Sequence, residues 1–120
     1  MDFDSAFEDL MRVGAKHGVR PDVPIESEDF FRELVSKYSG PQPAFAAWLD
    51  KEIETLFRCV LKPPEWLQGP EWPVFEGRPM MFVGQIDYPL GSNKVFNHDA
   101  SYYMFLDYET GTTKTVVQAG

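Results

Sequence analysis

The chain has 120 residues, of which 43% are hydrophobic and 15% aromatic, with no low-complexity run. That is the size of one ordinary domain, long enough to bury roughly two thirds of its unfolded surface, and the composition excludes a globally disordered chain. Nineteen acidic residues against eleven basic ones give a net charge of −8, divided evenly between residues 1–62 (twelve acidic, eight basic) and 63–120 (seven acidic, three basic). Such a field repels nucleic acid and anionic membranes and steers basic protein partners inward.

Cys59 is the single cysteine, so no internal disulfide forms, and no Cys/His cluster has zinc-ligand spacing. The opening MDFDSAFEDL lacks the basic and apolar regions of a signal peptide, and no apolar run approaches a membrane span. The expectation is a cytoplasmic protein without a metal or other cofactor.

In chain order, Ser5 followed by Glu8 reads as a capping box opening a helix over 5–17. Its apolar stripe is Phe7, Leu10, Met11 and Gly14, with His17 in the last turn, where a cation suits the helix dipole. Residues 19–26 contain two prolines and read as an extended connector. Ser27 is the expected N-cap of a second helix that presents Phe30, Phe31, Leu34, Val35 and Tyr38 and stops at Ser39-Gly40-Pro41. A third helix over 44–62 carries a wide apolar stripe from Phe45 to Val60. Glu54 stands four residues before Arg58 on its polar side, and it is expected to be the longest and firmest element.

Pro63-Pro-Glu-Trp-Leu-Gln-Gly-Pro-Glu-Trp-Pro73 then breaks the helical pattern. It is too proline-rich for a helix or central strand, yet it holds two of the three tryptophans. It is therefore either pinned to a core or used to meet a partner. Beyond it, strands are expected at 79–87 and 101–107. Glu109-Thr110-Gly111 is a hairpin turn, and Thr112 to Gln118 is the returning strand. Helices first and strands second imply a single α+β domain: a three-helix segment packed on a small antiparallel sheet, with the Trp/Pro stretch as connector and cover.

Chemistry-bearing patterns are sparse. There is no phosphate-binding glycine loop and no Gly-x-Ser-x-Gly. His98-Asp99, with Asn97 and Asp87 nearby, is the best general-base candidate, but neighbouring residues on a strand or loop diverge, so a non-enzymatic protein is the reading taken. Cys59 reads as a small buried hydrophobe. Strict alternation puts Gln85 and Asp87 on one side of their strand with Met81 and Val83, opposite Phe82, Gly84 and Ile86. They are then either amide-satisfying residues or a polar spot on a contact face.

Trp66-Leu-Gln-Gly-Pro-Glu-Trp-Pro73, then Gly77-Arg-Pro-Met-Met-Phe-Val-Gly-Gln-Ile-Asp87, and a Tyr102-Tyr-Met-Phe-Leu-Asp107 strand followed by Val116-Val-Gln118 resemble the YwqG-like family of bacterial proteins of unknown function. The resemblance covers about residues 63–118 and leaves out the helices. Pro63-Pro64 replaces a glycine pair common in the family, and the cysteines some members carry are missing, so no metal site is carried over. What it implies is a compact bacterial cytosolic domain, and, through the toxin-gene neighbourhoods of such relatives, an immunity protein that neutralises a cognate toxin. A basic toxin suits the acidic charge. Contact candidates are Trp66, Gln68, Glu71, Trp72, Gln85, Asp87, His98 and Asp99. A second reading is a sugar- or nucleobase-binding protein using Trp66, Trp72, Tyr88, Tyr102 and Tyr103. A third is an enzyme centred on His98, Asp99 and Asp87.

Overall fold

A computed structural model describes residues 1–88 and 99–120. Three helices come first: α1 (Phe3–Lys16), α2 (Ile25–Ser36) and α3 (Phe45–Leu56), the last entered through a short 3-10 turn, Gln42–Ala44. The strands follow. β1 (Val74–Phe75) and β2 (Arg78–Pro79) form a small hairpin, and β3 (Met81–Tyr88), β4 (Ala100–Leu106) and β5 (Thr113–Ala119) form an antiparallel sheet in that order. The fold is α+β, with helix order and the three main strands as the sequence pattern places them.

Local differences have physical causes. α1 is capped by Asp2, whose Oδ1 accepts the Ser5 N–H at 2.8 Å, so Ser5 lies inside the first turn instead of capping it. The buried stripe is Phe3, Ala6, Leu10, Val13 and Gly14, which rotates Phe7 outward. Gly14 is required by crowding: a Cβ there would lie 2.8 Å from the Val19 carbonyl oxygen. α2 begins at Ile25 after the cis Val23–Pro24 bond, so Ser27 is a buried residue within the helix and its N–H bonds the Pro24 carbonyl at 3.0 Å.

α3 ends at Leu56, six residues short of the expected boundary, and with 12 residues it is shorter than the 14-residue α1. Phe57 turns out of the helix to stack on Phe31 at 5.5 Å and to meet Trp72 edge-on at 5.4 Å. The chain then runs along β3. Phe82 N–H donates to the Arg58 carbonyl at 2.8 Å, and Val60 N–H donates to the Phe82 carbonyl at 2.9 Å. The segment after α3 exchanges helical hydrogen bonds for sheet bonds, half-buries Cys59 and covers the free edge of β3 at Phe82. Arg58 consequently leaves the helix and forms no ion pair with Glu54.

The unexpected β1–β2 hairpin turns on Glu76 (φ 49°) and Gly77 (φ 75°). Two consecutive left-handed residues are the requirement of a tight two-residue hairpin, which is why a glycine stands there. Its end is fixed by Trp72, 2% exposed, whose indole N–H donates to the Met80 carbonyl at 2.7 Å. Trp72 sits among Phe57, Phe82 and Phe105, so the helices and the sheet share one core.

Polar ties brace each half. His17 Nε2 lies 2.8 Å from Asp50 Oδ1, and Lys16 Nζ 3.3 Å from it, joining the end of α1 to α3. The buried Asp107 accepts from Arg78 Nη2 at 2.9 Å and from the Thr110 hydroxyl at 2.6 Å, locking the β4–β5 turn onto the β1–β2 hairpin. His17 and Lys16 hold Asp50, and Arg78 and Thr110 hold Asp107, below the usual carboxylate range. A carboxylate whose folded value is depressed stabilises above its unfolded value, and that contribution disappears as pH falls through the folded value. The melting temperature is therefore expected to fall once pH drops below about 4. Asp107→Asn should lower it at neutral pH and flatten the acid decline; an unchanged melting temperature and acid slope in that variant would contradict this role for the turn.

Candidate functional site

Most predicted contact residues converge on one face of the three-stranded sheet. Phe82 pairs with Phe105, but the next registered pair is Gly84 with Met104, so Val83 is an extra residue in a β-bulge. The bulge reverses the alternation. Gln85 pairs with Tyr103 and Asp87 with Ser101, which puts both on the same face as Phe82 and Phe105, not opposite Phe82 as unbroken alternation requires. Val83 is pushed outward, 44% exposed.

The Trp/Pro connector runs across this inner face. Its prolines prevent it from joining as a strand, yet its remaining N–H and C=O groups require partners. Side chains of the sheet supply them. Glu65 N–H donates to Gln85 Oε1 at 2.8 Å, and Gln85 Nε2 donates back to the Glu65 carbonyl at 3.0 Å. Leu67 N–H donates to the buried Tyr103 hydroxyl at 2.6 Å. Gln68 N–H donates to Gln118 Oε1 at 2.8 Å, while Gln118 Nε2 donates to the Gly69 carbonyl at 2.7 Å and to Glu71 Oε1 at 3.1 Å. The Gln68 side chain donates to the Ala119 carbonyl. Gln85 and Gln118 thus each offer a donor and an acceptor, as a neighbouring strand would.

Both tryptophans of the connector serve the interior. Trp66 packs on Tyr103 with ring centroids 4.5 Å apart and donates its indole N–H to the Gly18 carbonyl at 2.7 Å, tying the end of α1 to the sheet. Trp72 is in the core. The alternative for PPEWLQGPEWP therefore resolves toward a clasp: Trp66, Gln68, Glu71, Trp72 and Gln85 all form internal contacts.

At one end of the clasp, Trp66, Gln85, Asp87 and Asp99 line a cleft of about 400 Å³ together with Tyr88 and Ser101. Asp87 Oδ1 accepts from Gln85 Nε2 at 2.8 Å and from the Ser101 hydroxyl at 2.7 Å, and these two donors lower its pKa. A carboxylate held ionised in this way is a poor proton carrier near neutral pH. His98 and Asn97 lie outside the described residues. Among the described residues, no group of three or more His, Cys, Asp or Glu is placed to hold a metal ion, and no helix is long and apolar enough to cross a membrane.

The five-aromatic platform does not assemble. Trp66, Trp72 and Tyr103 belong to the inner face, whereas Tyr88 packs on Tyr102 at 5.3 Å across the outer one. Unbroken alternation does not show that outer face. Ile86 pairs with Tyr102 and Tyr102 with Val117, giving an apolar row across all three strands, with Met104 and Leu106 further along β4. Ile86 and Val117 are 46% and 47% exposed. The Val83 bulge is what sends Ile86 outward.

Comparison of the chain with known protein families, with curated proteins and with solved structures finds no match. Geometry, charge and sequence motif carry the functional reading.

Gln118 is the centre of the clasp, so Gln118→Ala leaves Gln68 N–H and the Gly69 carbonyl without partners. The expected cost is about 1–3 kcal/mol in denaturant unfolding. A variant as stable as the wild type would show that the Gln118 bonds do not hold the connector.

Proposed function

We propose that the protein is a non-enzymatic protein-binding module that docks a basic partner on the outer face of its sheet, in biological terms an immunity protein occluding a cognate toxin. One observation carries the reading: the row Ile86–Tyr102–Val117 is apolar and open, while Trp66, Gln68, Trp72, Gln85 and Tyr103 are engaged in the clasp on the opposite face. An exposed apolar row with aromatic members is the kind of surface that concentrates interface energy.

The charge of −8 supports the choice of partner. Complementary long-range fields accelerate encounter with a basic protein and disfavour acidic competitors, while the apolar row supplies residence time. The resemblance of residues 63–118 to the YwqG-like family adds the immunity role as an analogy, since motif and fold alone do not assign function.

Copurification from the native host is expected to retain one dominant basic protein, and expression is expected to protect cells from the product of a neighbouring gene. Ile86→Asp combined with Val117→Asp should abolish both with little change in melting temperature. No partner and no protection from the wild type, or full retention of both by the double variant, would refute the assignment.

A further inference from the structure

We infer that a second cleft, between the C-terminal ends of α2 and α3 and the β1–β2 hairpin, binds a small aromatic anion, with Arg58 and Lys37 gripping its carboxylate or phosphate. The cleft holds about 340 Å³, at the lower end of the usual range of about 300–1,000 Å³ for small-molecule sites, which suits a single ring with its acidic group. Phe30, Leu34, Leu56 and Tyr108 provide its apolar and aromatic lining.

The distribution of charge points to the ligand. Ten of the eleven Lys and Arg residues are described, Lys94 being the exception, and six of the ten sit within ion-pair distance of a carboxylate, as a chain with surplus acid requires. The four that do not are Lys37, Lys51, Arg58 and Lys114, and two of these, Lys37 and Arg58, line this cleft. Arg78 also lines it, but its guanidinium is taken by Asp107 at 2.9 Å, Glu109 at 2.6 Å and Glu76 at 3.6 Å, so it adds no free charge.

Arg58 is held ready. Its carbonyl is tied to Phe82 N–H at 2.8 Å, and its guanidinium lies over the Tyr108 ring, 5.5 Å from the centroid. A cation fixed at both ends loses little freedom when an anion arrives. This arrangement is the direct result of α3 ending at Leu56, since a helix continued to residue 62 would have set Arg58 beside Glu54. Glu33, which also lines the cleft, and the carbonyl ends of α2 and α3 oppose an anion. Glu33 brings one full negative charge and the helix ends about half a unit each, which together match the two cations, so the grip depends on direct contact of the anion with Lys37 and Arg58.

Phenyl phosphate is the probe, with inorganic phosphate and neutral benzamide as controls, read by calorimetry and thermal shift. Phenyl phosphate is expected to bind saturably and raise the melting temperature, with affinity falling as salt rises. Arg58→Gln and Lys37→Gln should each weaken it about tenfold, about 1.4 kcal/mol. Lys37 is the exposed residue that caps the C-terminus of α2, so its variant keeps the test valid if Arg58→Gln impairs folding. Equal binding of inorganic phosphate or of benzamide, no binding of phenyl phosphate, or wild-type affinity in Lys37→Gln would each overturn the proposal.

Discussion

The whole molecule depends on how a proline-broken segment is held against a sheet it cannot join. A connector carrying Pro63, Pro64, Pro70 and Pro73 presents too few N–H groups for strand pairing, and leaving its remaining polar groups buried and unpaired would cost more than its tryptophans return. Gln85, Tyr103 and Gln118 resolve this by making side-chain bonds where backbone bonds are unavailable. Once the connector is fixed, Trp66 reaches Gly18 and Trp72 reaches Met80, and the helical half is joined to the strands through one core.

The Val83 bulge makes the clasp possible and creates the candidate contact surface in the same stroke. Without the extra residue, Gln85 would point away from the connector and Ile86 toward it. With it, the amide meets Glu65 and the isoleucine joins the outer apolar row. A single insertion thus separates the sheet into a face that packs against the connector and a face whose apolar row is exposed. The early end of α3 works similarly: it lets residues 58–60 pair with the β3 edge at Phe82 and leaves Arg58 without a carboxylate partner.

Much of this was legible in the residues. Strand β4 lies within one residue of its expected span, the β4–β5 turn is where Glu109-Thr110-Gly111 sets it, and the Trp/Pro stretch has the composition of a cover. The features that were not legible depend on long-range partners. Where α3 stops is decided by Phe82, far along the chain, because its edge amide competes for the Arg58 carbonyl. The bulge has no local signature, since Val83 fits an unbroken strand as well as a bulged one. For the same reason unbroken alternation puts Gln85 and Asp87 on the right strand and the wrong face. Ser5 and Asp2 are both competent caps, and the burial of Phe3 selects the earlier start.

Residues 65–68 are clasped to the sheet and do not form a free loop. Native-state amide hydrogen exchange tests it directly at Glu65, Leu67 and Gln68, whose N–H groups donate to Gln85, Tyr103 and Gln118. All three are expected to exchange slowly, with opening free energies close to those of β4 amides such as Phe105. Exchange at the rate of an unstructured peptide, with β4 still protected, would contradict it.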